Sequence, residues 1–296
     1  MVSYVCVGLE SCVFFAILKI TKLYEEIKML KADFHVHSEF SNDCSEKIEK
    51  QIKRAINLGL EYICFTDHCD MDYPSPEKES EYILDTKSYI EKVNYLKEKY
   101  DDKIKVLCGV EIGLMPYLKD RLNAYTNKYN FDFIIGSSHM VRGKDPAIDD
   151  FFKGKTEKEA YREYFESILE NVKAFNNYNV YGHLDYVVRY GPNKNKYFDF
   201  NYYKDVFEEI LKIIIQNGNG IEINTSGLRN LGYPHPHKDI IKMYKDLGGE
   251  IITVGSDAHL SEYIGYKFDE AEEYLKRLGF HYYTVFENQK LKFYKL

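Results

Sequence analysis

Seven short apolar runs, each followed by an amphipathic stretch, leave this chain few folds to choose from. The runs fall at 32–36, 62–66, 105–112, 131–137, 179–183, 220–224 and 251–255, each the length of a buried strand rather than a helix. Apolar spacing near 3.6 predicts the intervening helices at about 45–58, 86–100, 116–129, 156–175, 202–217, 237–247 and 267–278. Gly59, Gly218, Gly248 and Gly279 stand where helix C-caps are expected, and one residue of 199–201 is placed to cap the helix near 202–217. Consecutive strand–helix units imply a parallel sheet. No glycine-rich phosphate loop follows the first run, so a closed or distorted β/α barrel fits better than a dinucleotide-binding sheet. The tail, 282–286 and 291–294 around Glu287-Asn288, reads as a small hairpin. With no internal repeat or low-complexity linker, the 296 residues read as one α/β domain.

Residues 1–28 differ from the rest of the chain. The run 13–20 is strongly apolar, but Glu10 and Lys19 interrupt a full membrane span and the basic start of a signal peptide is missing. Met29-Leu30-Lys31 lies directly before the first strand, and the barrel pattern needs nothing upstream. The expectation is a dispensable extension, or a start of translation at Met29, ahead of a domain over 29–296. A membrane tether through 1–28 is the less favoured alternative. A net charge of −7 argues against a generic partner of nucleic acid or anionic membrane. Cys6, Cys12, Cys44, Cys64, Cys69 and Cys108 show no zinc-ribbon spacing and no Cys-x-x-Cys, as expected of reduced thiols in a cytoplasmic protein. The 28 tyrosines with no tryptophan fit genome composition better than a role in function.

The chemistry gathers at the strand ends. In Ala32-Asp33-Phe34-His35-Val36-His37, two histidines stand two apart on a strand and so share a face, and Asp43 follows in the loop. Such a set suits a borderline divalent ion. After the second run comes Thr66-Asp67-His68; the third carries Glu111; Ser137-Ser138-His139 follows the fourth, Gly182-His183-Leu184-Asp185 the fifth, and Ser256-Asp257-Ala258-His259 the seventh. The C-terminal ends of barrel strands converge on one face, where active sites are built. Each residue has a bland alternative, whether helix-cap neighbour, surface acid or packed core histidine. Jointly the bland reading fails, because six of the nine histidines would have to fall on one face by accident. Nine candidate ligands result: His35, His37, Asp43, His68, Glu111, His139, His183, Asp257 and His259. They are too many for one tetrahedral ion and suit two or three. Arg189 and Arg229, after the fifth and sixth strands, can grip a phosphate through paired hydrogen bonds; the alternative is a surface salt bridge, and Arg142 is a weaker third candidate. Asp70, Asp72 and Asp185 read equally as partners of a cationic substrate group or as solvated loop acids. His235 and His237, in Tyr-Pro-His-Pro-His, read as a proline-stiffened loop.

These motifs, in this order, resemble the polymerase and histidinol phosphatase (PHP) superfamily over roughly 31–285. Asp145-Pro146, Phe151-Phe152-Lys153-Gly154-Lys155, Glu159-Ala160-Tyr161, His183-Leu184-Asp185-Tyr186-Val187-Val188-Arg189-Tyr190 and Glu222-Ile223-Asn224-Thr225-Ser226-Gly227-Leu228-Arg229 narrow the likeness to the monofunctional histidinol-phosphatase branch. The resemblance implies a distorted (β/α)7 barrel holding three divalent ions (Mn, Fe or Zn), and no other cofactor. It implies that His35, His37, Glu111 and Asp257 hold one ion, that Glu111 bridges to a second with His68 or His139, and that Asp43, His183 and His259 serve the third. The implied reaction is hydrolysis of L-histidinol phosphate to L-histidinol and phosphate, in histidine biosynthesis, by metal-activated hydroxide attack on phosphorus. Asp257 and His259 would take part in catalysis, with Asp257 accepting or returning a proton, and Arg189 and Arg229 would hold the phosphate. Alternatives are a PHP phosphoesterase acting on another small phosphate ester, a nucleotide or phosphotyrosine, and a metal-binding barrel without catalysis. A polymerase-associated exonuclease is disfavoured by the acidic charge and the lack of a polymerase module.

Overall fold

A computed structural model describes residues 30–73 and 82–296, so the features expected of 1–28 lie outside the described residues. The strands are β1 (Ala32–Val36), β2 (Tyr62–Phe65), β3 (His68–Cys69), β4 (Lys105–Gly113), β5 (Phe133–Ser137), β6 (Val180–Tyr181), β7 (Gly220–Asn224), β8 (Ile252–Gly255), β9 (Tyr282–Glu287) and β10 (Lys290–Lys295). The helices are α1 (Ile48–Asn57), α2 (Thr86–Tyr100), α3 (Lys119–Lys128), α4 (Glu157–Ala174), α5 (Lys204–Gln216), α6 (Lys238–Asp246) and α7 (Phe268–Arg277). All seven expected strands and all seven helices are present. Gly59, Gly218, Gly248 and Gly279 take φ between 73° and 91°, as C-caps require.

The parallel strands run in the order β1-β2-β4-β5-β6-β7-β8, with β3 added on β4. The ring nearly closes where β8 meets β1: Asp257 N–H donates to His35 O (2.8 Å), and His37 N–H donates to Ala258 O (3.0 Å). Inside this seam the buried Asp33 carboxylate accepts from Ser256 N–H and Oγ–H, at 2.9 and 2.6 Å. Phe34 meets Phe133 edge to face at 5.0 Å although β2 and β4 separate their strands, so the two rings pack across the barrel interior. The expected hairpin is β9–β10. Its turn docks on the start of β5 through Gln289 N–H to Asp132 O, and Phe286 packs on Phe133 at 5.3 Å, which stoppers the N-terminal end.

The departures from expectation are local. The run 179–183 forms only the two-residue β6, because Gly182 and His183 turn away to build the site. The run 131–137 enters the sheet at Phe133. The segments 116–118 and 200–202 are 3-10 turns ahead of their helices, and Asp199 caps the turn at 200–202 rather than α5. Strand β3 was not expected; its register sets His68 beside Glu111. The four described cysteines are free and buried. Burial pushes the Cys44 thiol up to about 12 and that of Cys69 to about 11, which disfavours the reactive thiolate.

Candidate metal centre

Glu111 is the hub. It points from near the end of β4 and is fully buried. Its Oε1 lies 3.0 Å from His183 Nε2 and 3.2 Å from His139 Nε2. Its Oε2 lies 3.0 Å from His68 Nδ1, 3.2 Å from His35 Nε2 and 3.5 Å from His37 Nε2. Five of the nine expected ligands thus touch a sixth. Asp257 Oδ1 stands 3.3 Å from His37 Nε2 and 3.6 Å from His259 Nδ1, and Asp43 Oδ2 stands 3.0 Å from His259 Nε2 and 3.6 Å from His68 Nε2. All nine come together. The His37 ring lies against those of both His68 and His259, with centroids 4.1 and 4.2 Å away.

The backbone holds these donors in unusual ways. The pairing of β1 with β2 shifts register between Asp33 and Val36, yet His35 and His37 still meet, Nε2 to Nε2 at 3.0 Å. Asp257 sits at φ 53°, in the left-handed region, where aspartate is better tolerated than most side chains and a functional site can hold it. At Gly255, beside the donors, the packing leaves no room for a side chain. A Cβ there would press on His35 Cβ and lie 2.6 Å from Glu222 Oε1. Gly255→Ala is therefore expected to destabilise the protein by about 1–3 kcal/mol and to lower its metal content, measured by thermal unfolding and elemental analysis. Unchanged metal retention would show that His35 does not need this fit.

The set fits divalent ions. Each imidazole that is backed by an acceptor presents its other nitrogen inward. His35 Nδ1–H donates to Glu222 Oε1 (2.5 Å), His37 Nδ1–H to Ser41 Oγ (3.2 Å), and His139 Nδ1–H to Asp70 (2.9 Å). Ser41 in turn donates to Asp67 Oδ1 at 2.7 Å. This backing fixes the tautomer that offers a free lone pair to a metal. Four groups of three donors lie close enough to share an ion: His35 with His37 and Asp257; His35 with Glu111 and His183; His68 with Glu111 and His139; and His37 with His68 and His259. Borderline nitrogen and carboxylate donors suit Mn, Fe and Zn alike.

Electrostatics agree. Burial alone would pull the imidazoles of His35, His68 and His139 down, but the surrounding carboxylates win and hold all three well above the ordinary histidine value. For His35 these are Glu222, Glu111 and Asp257. His37 goes the other way, lowered by burial and by His68 and His259. Burial works against ionisation of Glu111 and Asp257, yet the histidines hold both well below the usual carboxylate range. The raised histidines add stability that is fully present below their unfolded value of about 6.5 and is lost as pH rises through their higher folded values. The depressed carboxylates add stability that is present above the ordinary carboxylate range and lost as pH falls toward their folded values. Metal-stripped protein should thus weaken as the solution turns alkaline, where a cation can replace the lost protons. The stabilisation conferred by Mn or Zn is expected to grow with pH by about 1.4 kcal/mol per unit for each proton displaced. Calorimetry at pH 6 and 8.5, with and without chelator, checks this; a gain that does not change with pH would remove these histidines from the ligand set.

The phosphate candidates sit on the rim. Arg189 donates to Ser226 Oγ and lies 3.8 Å from Asp257 Oδ2. Arg229 Nη2–H donates to the carbonyls of Ser256 (3.2 Å) and Asp257 (3.1 Å), with its guanidinium 4.5 Å from the Tyr263 ring. Neither is a surface salt bridge, and each has a buried Nε with no hydrogen-bond partner among the described residues. Arg142 is a surface residue paired with Glu170 at 2.9 Å, away from this rim. All three loop acids are engaged within the protein, Asp70 and Asp185 buried and Asp72 partly exposed. Asp70 backs His139, Asp72 pairs with Arg121, and Asp185 is buried against His235 Nδ1 at 2.5 Å. Sequence reasoning missed Glu222, Asp70, Ser41 and Asp67 as supports of ligands. For Asp70 a signal existed: it stands two residues beyond His68, and an acid at that spacing shares the ligand's face.

The PHP domain family model matches residues 33–226. The chain is 35% identical to a histidinol-phosphatase of Lactococcus lactis, over 89% of this chain and 97% of that protein. It is 32% identical to a probable histidinol-phosphatase of Thermotoga maritima, over 89% and 99%. Its fold superposes with TM-score 0.82 (34% identity; 88% and 98% covered) on the crystal structure of a Lactococcus lactis histidinol phosphate phosphatase complexed with Zn, L-histidinol and phosphate. The fold likeness extends, at TM-score 0.69 and 20% identity, to a crystal structure from Listeria monocytogenes. With its nearly closed seven-stranded barrel and its histidine- and carboxylate-lined mouth, the chain belongs to the PHP domain family, in the histidinol-phosphatase branch.

Proposed function

We propose that this chain hydrolyses L-histidinol phosphate to L-histidinol and inorganic phosphate, serving histidine biosynthesis in the cytoplasm. The observation that carries the reading is one face on which nine metal donors stand beside two arginines. The choice of substrate is supported by the Lactococcus lactis relative, whose crystal structure holds Zn, L-histidinol and phosphate. The buried, unbridged thiols accord with a reducing compartment, and among the described residues no helix is long and apolar enough to cross a membrane.

Three divalent ions suit the donors. His35, His37, Glu111 and Asp257 would hold one. Glu111 with His139 and His183 would hold a second, and Asp43, His68 and His259 a third. This partition moves His183 from the Asp43–His259 group to Glu111, because its Nε2 lies 3.0 Å from that carboxylate. Ions bound there would draw charge from the phosphoryl oxygens and lower the pKa of the attacking water. Arg189 and Arg229 hold the other phosphoryl oxygens and neutralise the charge that builds as the ester bond breaks. The Asp257 carboxylate, which stands among the donors, would orient the attacking water and take up its proton, whose acidity the bound ions would raise. His259, at the rim with its side chain 28% exposed, would help hold the third ion beside the departing alcohol, and water made acidic by that ion would return the proton.

The test is phosphate release with added Mn from L-histidinol phosphate, a nucleotide, a sugar phosphate and phosphotyrosine. The expected kcat/KM for histidinol phosphate exceeds the others by at least about tenfold, the discrimination of roughly 1.4 kcal/mol that one lost specific contact costs. Equal, weak turnover of the whole panel would sink the biosynthetic assignment and leave a general phosphoesterase. Repeating the assay on protein begun at Met29 tests the assignment of the whole activity to 29–296.

A further inference from the structure

The segment from Glu222 to Ser226 lies between the metal donors and the arginine rim, and its buried side chains form one continuous chain of hydrogen bonds. Glu222 Oε1 accepts from His35 Nδ1–H. Its Oε2 accepts from the backbone N–H of His183 (3.2 Å) and from Asn224 Nδ2–H (3.1 Å). Asn224 Oδ1 accepts from Ser226 N–H (3.0 Å) and Oγ–H (2.5 Å). Ser226 Oγ accepts from Arg189 and lies 3.1 Å from Asp257 Oδ2. The backbone of Asn224 is clamped on both sides by that of His235, N to O at 2.8 Å each way. Glu222, Asn224 and Ser226 are all at most 1% exposed.

A carboxylate can only accept here, so Glu222 forces the His35 proton onto Nδ1 and leaves Nε2 free to face Glu111 and Asp257. The same carboxylate orients the Asn224 amide: with Nδ2 committed to Glu222, Oδ1 must face Ser226. That in turn directs the Ser226 lone pair at Arg189. We infer that Glu222 is a positioning residue common to both halves of the site, which aims His35 at the metal through one oxygen and registers Arg189 for phosphate through the other. The inference rests on the reading of the face as a metal-dependent phosphatase, but its test does not depend on which ester is cleaved.

The experiment uses full-length protein and two probes, Zn titrated against a competing chelator and inorganic phosphate binding at saturating Zn. Glu222→Gln is expected to lower the affinity for the weakest-held Zn about 10–100-fold and also to weaken phosphate at saturating metal by about tenfold. Asn224→Ala, which breaks the chain beyond Glu222 at a side chain that touches no metal donor, is expected to weaken phosphate similarly while Zn affinity stays within about twofold. A structural role alone would move neither quantity in folded protein, so each is read on variants whose far-ultraviolet circular dichroism matches the parent. Should Glu222→Gln not fold, Glu222→Asp, which keeps the charge and withdraws it by one methylene, is read in its place. Zn affinity unchanged in the Glu222 variant overturns the inference, as does phosphate affinity unchanged in either variant. If the parent binds Zn and phosphate yet does not cleave histidinol phosphate, the proposed substrate fails while the role of Glu222 is still decided by these two affinities.

Discussion

Glu111→Gln is expected to lower kcat for phosphate release by about a thousandfold or more and to strip the protein of at least one metal equivalent. The substitution keeps shape and volume but removes the charge that five histidines surround at 3.0–3.5 Å. In the absence of that carboxylate, His139 and His183 lose the anion that gathers their inward nitrogens, and the inward nitrogens of the other histidines keep Asp43 and Asp257, with Glu222 and Asp70 only behind His35 and His139. The amide is also mismatched. Its NH2 group would face imidazole nitrogens whose lone pairs must go to an ion, and it either takes up those lone pairs in hydrogen bonds or stays an unpaired buried donor. Elemental analysis separates this from a subtle catalytic defect, because the activity loss should track the metal loss and be partly restored by excess Mn. A variant that retains its full metal content with kcat within tenfold of the parent would displace Glu111 from the centre.

The site was legible in the sequence because barrel topology does the gathering. Candidate donors as far apart as His35 and His259 need only end their strands on the same face, and strand ends can be read from apolar runs. The two-residue spacing of His35 and His37 gave their common face in the same way, and it held despite the shift of register in β1. The proposed partition of the donors was less legible because it depends on ångström-scale register. His68 reaches Glu111 because the two-residue β3 pairs with it, and a strand of that length leaves no periodic pattern in the sequence. His183 lies against Glu111 because β6 stops at Tyr181 and the chain turns inward.

Acids were the hardest residues to read. Asp70, Asp185 and Glu222 have the same residue types as the solvated acids of the helices, and only tertiary burial separates them. Asp185 reads as a loop acid, yet it is fully buried, binding His235 Nδ1 and the His237 N–H. Its partner lies fifty residues on, past β7, and a hydrogen bond of that range has no local signature. Arg142, by contrast, follows a ligand by three residues just as a rim arginine might, but it takes a left-handed turn outward to Glu170. Proximity in sequence to a ligand was therefore a poorer guide than placement at a strand's end.

Arg229→Ala is expected to reduce kcat/KM for histidinol phosphate by about 10²–10³-fold, the usual cost of removing one preorganised donor from a developing charge, with metal content unchanged. The guanidinium is half-buried, and its Nη2 is committed to the carbonyls of Ser256 and Asp257. Its plane is steadied 4.5 Å from the Tyr263 ring. Those contacts engage Nη2 and leave the Nη1 amino group as the donor available to a phosphoryl oxygen. Arginine therefore arrives at the site already oriented, and little side-chain entropy is lost on binding. Lysine cannot reproduce this, because a single ammonium that satisfies the two carbonyls has no second donor edge to present, so Arg229→Lys should recover less than about a tenth of the lost activity. Product inhibition by inorganic phosphate should weaken in parallel with the loss of kcat/KM, since both read the same grip. Arg142→Ala supplies the control and should stay within about twofold, its guanidinium being held by Glu170 on the surface. Were Arg229→Ala to keep its phosphate inhibition and its kcat/KM, the rim arginines would be structural clamps on the β8 carbonyls, and phosphate binding would fall to Arg189 and the ions alone.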